Sequence, residues 1–129
     1  MKLAMYIKFN NNAEDAFKFY KEVFDAKEIC FYKYSKEMTN DENKIGTVFH
    51  AEMCIKDSLY LYMSDALIDY NTDGYKIVLE VPTLDEANGY FDQLKVNGSV
   101  ISEMKKMPYG PTIGELKDQF GTIWNIVAC

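Results

Sequence analysis

The sequence predicts an α+β fold built from two βαβββ modules, whose curved mixed sheets enclose a cleft. Three observations predict it. A strand-like stretch, an amphipathic helix and three further strands follow one another twice along the 129 residues. The two helices match each other, "AEDAFKFY" at 13–20 against "LDEANGYF" at 84–91. The two hairpins match as well: "AEMCIKDSLYLYM" lies over "GELKDQFGTIWNIV", with one residue's difference in the turn. A single βαβββ unit covers one sheet face with its helix and leaves the other half-apolar. Duplication solves this by letting two such sheets share a cleft. The expected organisation is one domain over 1–129: a first module at 1–66, a linker at 67–74 and a second module at 75–129.

Each element has its own signal. "KLAMYIKF" reads as the opening strand. Asn12 is placed as an N-cap, with Asp15 complementing the helix dipole. Ala16, Phe17, Tyr20, Val23 and Phe24 then recur at helical spacing as one apolar stripe. "EICFYKY", "TVFHAEMCI" and "SLYLYMS" read as strands, the first two separated by a charged, mobile loop, "SKEMTNDENKIG". "YKIVLEV" opens the second module, and Thr83 with Glu86 forms a capping box. Leu84, Ala87, Tyr90, Phe91 and Leu94 give the second buried stripe, and "VNG" at 96–98 stops the helix. "SVISEMKK", "TIGELKD" and "TIWNIVAC" complete the module, the last two joined by the polar turn of "DQFG".

Composition narrows the function. The chain is 48% hydrophobic, 26% charged and 15% aromatic, ample material for a core. No apolar run approaches the ~20 residues needed to span a bilayer, and the N-terminus does not read as a signal peptide. A cytoplasmic protein is expected. Net charge is −6, and every basic residue is lysine. The planar guanidinium fork that reads phosphate and guanine is absent, so nucleic acid and anionic membranes are not expected partners. Cys30, Cys54 and Cys129 are odd in number and widely spaced, which argues against a disulfide framework or zinc knuckle. Cys30 and Cys54 read as buried, inert thiols.

With these motifs in order, the chain resembles the vicinal oxygen chelate superfamily of glyoxalase I, bleomycin-resistance proteins and extradiol dioxygenases. "FNNNAEDAFKFYKEVF", the central His followed by "M-S-D-A", and the terminal "DQFGTIW" resemble its PhnB-like subgroup in particular. The resemblance runs from about residue 3 to 128 and implies a glyoxalase-like fold whose cleft holds small molecules or a divalent metal. It also implies four metal-ligand positions, one from the first and one from the last strand of each module. Here these fall on Ala4 or Met5, Leu61, Lys76 and Asn125, none of them an imidazole or carboxylate. No cofactor is therefore expected, and a divalent metal would need an atypical site. The subgroup also carries a methyltransferase description connected with ubiquinone. The chain has no glycine-rich nucleotide turn after a strand, and it is too short for the doubly wound sheet of such enzymes.

His50 is the only histidine and hence the obvious general base. Strand alternation puts Phe49, Ala51, Met53 and Ile55 under the helix, and His50, Glu52 and Cys54 toward the cleft. Glu52 and Glu115 are counterparts in the two halves. With His50 they are the candidate catalytic residues, or an unconventional metal site. As structural residues they would be a hydrogen-bonded strand histidine and two solvated glutamates. Leu61 and Met63 are expected to line an apolar floor, with Tyr60 and Tyr62 turned to the helix. Asn125, Leu61, Met63, Lys76 and Tyr109 are the candidate ligand-binding residues, Tyr109 from the rigid "MPYGP" loop. Trp124, opposite in parity to Asn125, belongs to the core. The preferred function is binding of a small, partly apolar molecule without the usual metal. The alternative is a lyase, isomerase or oxygenase using His50 with Glu52 or Glu115. A homodimer is expected, because superfamily members often pair modules between chains and the sheets have edges to cover.

Overall fold

The computed structural model describes residues 1–66 and 74–129, so the linker expected at 67–74 lies, except for Gly74, outside the described residues. The chain divides into two units, Met1–Asn71 and Thr72–Cys129. The first holds β1 (Met5–Phe9), α1 (Ala13–Val23), β2 (Lys27–Lys33), β3 (Val48–Ile55) and β4 (Leu59–Asp65). Its sheet has the order β1-β4-β3-β2, with β1 parallel to β4 and the other pairs antiparallel. The second holds β5 (Ile77–Val81), α2 (Leu84–Leu94), β6 (Ser99–Lys106), β7 (Thr112–Lys117) and β8 (Ile123–Ala128). Its order, β5-β8-β7-β6, repeats the first, again with one parallel pair, β5 with β8. The fold is thus α+β, with two βαβββ modules and mixed four-stranded sheets. No described helix is long and apolar enough to cross a membrane.

In the first unit α1 buries Ala13, Ala16, Phe17, Tyr20 and Val23. The rings of Phe17 and Phe31 meet at 5.1 Å, edge to face. Phe31 lies opposite Ala51, Ala51 opposite Met63, and Met53 opposite Leu61. Directly opposed residues share a sheet face, so Ala51, Met53, Leu61 and Met63 form the floor under the helix, all 5% exposed or less. Leu61 and Met63 were expected on the face away from α1, with Tyr60 and Tyr62 under the helix. The register places them the other way round. A shift of one residue exchanges the two faces of a strand, and pairing to Ala51 and Met53 settles which face is which. Phe49 also departs from expectation. A register irregularity between Tyr32 and Lys33 interrupts the alternation, leaving Phe49 42% exposed against the Tyr34 ring while Val48 is buried.

The cap of α1 comes from an unexpected direction. Asn12 makes no side-chain cap bond; its Oδ1 accepts from the Asn10 N–H at 3.2 Å. Asp65, buried at the end of β4, accepts instead from the N–H groups of Ala13 at 3.0 Å and Val48 at 2.8 Å. One carboxylate therefore ties the helix N-terminus to two strands, which is the physical content of the "M-S-D-A" motif. The charged loop between β2 and β3 is closed by the Tyr34 N–H on the Thr47 carbonyl, 2.8 Å. Lys44 secures it to the Ala66 carbonyl at 3.0 Å.

The second unit follows the same logic. Thr83 Oγ1 accepts from the Glu86 N–H at 3.2 Å, as the capping box requires. Ala87, Phe91 and Leu94 are buried, whereas Leu84 is 49% exposed, so the stripe begins one turn later than expected. Asn97, with φ of 59°, turns the chain out of the helix. α2 packs over Gly114, where an added Cβ would lie 2.8 Å from the Phe91 ring. Trp124, Ile126 and Leu116 share that face and are buried. Asp118 organises the β7–β8 turn. Its Oδ1 accepts from the N–H groups of Phe120 (2.9 Å) and Thr122 (3.0 Å), and its Oδ2 from the Trp124 indole at 2.8 Å. Gly121, at φ of 91°, supplies the left-handed step of the turn. The terminal D-x-F-G-x-x-W motif is a folding device.

Candidate functional site

The face of the first sheet turned away from α1 carries a polar and aromatic cluster. Cys30 lies directly opposite Glu52, Tyr32 opposite His50, Glu52 opposite Tyr62, and Tyr62 opposite Tyr6. Four strands thus contribute side chains to one patch, each position fixed by the ladder. Tyr6 Oη is 2.8 Å from His50 Nδ1, and His50 Nε2 is 2.9 Å from Glu52 Oε2. The Cys30 thiol points at the same carboxylate oxygen, 3.6 Å away. The His50 ring also meets the rings of Tyr6 and Tyr62 at 5.4 and 5.5 Å. His50 and Glu52 side chains are 25% and 21% exposed, shielded but reachable.

The electrostatics follow from those contacts. The hydrogen bond from His50 holds the Glu52 carboxyl below the ordinary glutamate range, helped by Cys30 and Tyr62 and opposed by burial. Burial pushes the Cys30 thiol up, and the neighbouring Glu52 charge adds to it. Lys2 sits 3.8 Å above the Tyr60 ring and 5.1 Å from that of Tyr62. The Tyr6–His50–Glu52 line is satisfied by a neutral imidazole that accepts the Tyr6 O–H hydrogen bond at Nδ1 and donates from Nε2 to Glu52. It is equally satisfied by an imidazolium donating at both ends. Chemically, the patch offers a proton relay, or a thiol that must lose its proton, an imidazole and a carboxylate for a cation. Nε2 cannot serve both at once.

The second unit gathers the other candidates. Asn125 stands between Val78 on β5 and Glu115 on β7, on the face away from α2. Lys76 Nζ reaches Glu115 Oε2 at 3.5 Å. Among the described residues, Asn125 Oδ1 is a buried side-chain oxygen without a hydrogen-bond partner. Tyr109 is exposed on the turn between β6 and β7, which is closed by the Met107 N–H on the Pro111 carbonyl at 2.8 Å.

The expected site residues therefore fall into groups. His50 and Glu52 come together, and Lys76, Glu115 and Asn125 come together in the other unit. Leu61 and Met63 belong to the core under α1. Sequence reasoning missed Cys30, Tyr6 and Tyr62. Cys30 was read as an inert thiol, yet it is half-buried on the polar face. Alternation alone could not have found it, because a register shift between Glu28, opposite Met53, and Cys30 is what brings Cys30 opposite Glu52.

The superfamily's metal positions can now be tested on the register. Met5 pairs with Leu61 on the helix side, so the equivalents on the other face are Tyr6 and Tyr62. With Lys76 and Asn125 they make two phenols, an ammonium and an amide. This donor set does not fit a divalent ion of that kind, and no step is routed through one there.

Residues 1–127 match the family model described as 3-demethylubiquinone-9 3-methyltransferase. Protein YjdN of Escherichia coli K12 is 25% identical over 139 residues, covering 98% of this chain and 94% of that protein. The crystal structure of PA1353 from Pseudomonas aeruginosa superposes with a TM-score of 0.90 at 24% identity, over 99% of this chain and 97% of that one. The PhnB protein of Bacillus cereus gives 0.83 at 24% identity over all of both chains. Coverage of residues 1–127 by the family model places the chain in this PhnB-like family, and the PA1353 and PhnB structures share its paired-module fold.

Proposed function

We propose that the protein binds a small, partly apolar molecule carrying a hydrogen-bond donor, which Asn125 Oδ1 receives, without a metal at the superfamily's usual positions. The observation that carries this reading is the orphaned amide oxygen. Buried polar atoms are nearly always paired, and leaving one unpaired costs ~1–3 kcal/mol. An unpaired acceptor, at a position where the resemblance implies a metal ligand, is suited to a ligand donor. Val78 beside it and the Lys76–Glu115 pair give the mixture of apolar wall and few polar groups that small-molecule sites use. The methyltransferase description gains no support from these residues, since no glycine-rich turn for a nucleotide methyl donor exists in the sequence.

A thermal-shift screen with a metabolite library tests the reading. The best hit should bind the wild type, and bind Asn125→Ala more weakly by ~1–3 kcal/mol, the cost of an unpaired donor. Equal affinity in the variant would remove Asn125 from the site.

A second reading, acid/base catalysis, draws on the Tyr6–His50–Glu52 line. Glu115, the other candidate carboxylate, is paired with Lys76 in the second unit; His50 and Glu52 are in direct contact. Substrate turnover that His50→Gln abolishes while ligand affinity persists would support it.

A further inference from the structure

We propose that Cys30, His50 and Glu52 form a zinc-type divalent cation site, on strands β2 and β3 and beside, but distinct from, the positions the superfamily uses. The three residues offer a thiolate, an imidazole and a carboxylate, the three donor types that zinc takes. Their donor atoms all lie within 4.8 Å of one another. Glu52 Oε2 is already 2.9 Å from His50 Nε2 and 3.6 Å from Cys30 Sγ. An ion bound at ~2.0–2.3 Å from each donor sets them roughly 3.2–3.8 Å apart in a tetrahedral arrangement. The carboxylate and imidazole must open by a few tenths of an ångström, and a separation of 4.8 Å must close by roughly 1.0–1.6 Å. Side-chain rotation supplies such movements while the β2–β3 ladder stays fixed.

The surroundings are those of a metal site. A ligating imidazole needs a partner on its other nitrogen to fix its orientation, and Tyr6 Oη is already 2.8 Å from Nδ1. Tyr62 approaches the same glutamate and steadies it. Three protein ligands leave a fourth position for water or a small ligand, the open arrangement of catalytic zinc. Sulfur and nitrogen donors select zinc or cobalt over magnesium and calcium, which take oxygen. On binding, the Cys30 S–H bond breaks, its proton goes to solvent and a metal–sulfur bond forms, with no change of oxidation state.

Cobalt(II) alone, titrated into chelator-treated protein, is the probe. The wild type should take one cobalt per chain, with a thiolate-to-cobalt charge-transfer band in the near ultraviolet and intense visible bands of a four-coordinate ion. Zinc should displace it. Cys30→Ser should abolish the charge-transfer band, and His50→Gln and Glu52→Gln should each lose stoichiometric binding. Tyr6→Phe, which removes no ligand, should weaken binding ~10–100-fold, and it keeps the proposal testable if a ligand variant fails to fold. Cys129→Ser, at the exposed thiol, and Asn125→Ala should bind cobalt as the wild type does. That last arm separates this site from the reading that rests on Asn125. No stoichiometric binding by the wild type, a band that survives Cys30→Ser, or one that vanishes in Cys129→Ser would overturn the proposal.

Discussion

Two buried aspartates show how much single side chains decide. Asp65, at the end of β4, and Asp118, in the β7–β8 turn, each accept hydrogen bonds from two backbone N–H groups. Asp118 also takes the Trp124 indole proton, so the largest core residue depends on it. Asp118→Ala should therefore destabilise by roughly 2–4 kcal/mol, since the buried Trp124 indole and two part-buried backbone donors lose this acceptor at once. Urea unfolding followed by Trp124 fluorescence checks this, and a loss under about 0.5 kcal/mol would show the turn holds itself. The sequence made Trp124 legible as core, and its need for an acceptor with it. Asp65 was not legible as a cap, because the N-cap rules favour the adjacent Asn12 and say nothing of an acceptor 52 residues away. Cys30 was hidden for a related reason: an apolar strand context suggests burial, while its neighbour across the sheet decides its chemistry.

At the scale of elements, the helices and strands were legible because their periods differ, 3.6 against 2. The assignment of faces was less so. The alternation "YLYM" in β4 places aromatic and aliphatic residues on opposite faces without saying which faces the helix. Only pairing with Ala51 and Met53 resolves it. Hairpin geometry carries a further consequence. Lys56 and Asp57 both adopt positive φ, 52° and 66°, in the β3–β4 turn. Two left-handed residues in succession are the mark of a type I′ turn, which favours Asn-Gly. Asp57→Gly should stabilise the protein by about 0.5 kcal/mol: relief of left-handed strain is partly offset by the greater freedom of glycine when unfolded. Thermal melts of the variant decide it; a lowered melting temperature would mean the Asp57 side chain contributes more than its backbone costs.

At the scale of the whole molecule, duplication was legible in the matched helices and hairpins, and with it the family. What the two sheets hold was not legible, since each polar face depends on register across four strands. Each unit's sheet also ends in two edge strands, β1 and β2 in one and β5 and β6 in the other. β2 and β6 expose Ile29, Tyr32, Val100 and Ile101, and open edges with apolar side chains favour association. A second copy of the chain is the expected cover. Light scattering at micromolar concentration should give twice the 14.9 kDa chain mass; a mass of one chain would contradict the dimer.

Ligand recognition by Asn125 is the central claim, and the most direct measurement is a crystal structure of the protein with the best hit of the metabolite screen. The account predicts a nitrogen or oxygen donor of that molecule ~2.7–3.2 Å from Asn125 Oδ1, with apolar atoms against Val78. A ligand bound elsewhere, with Asn125 Oδ1 still buried and unpaired, would contradict it.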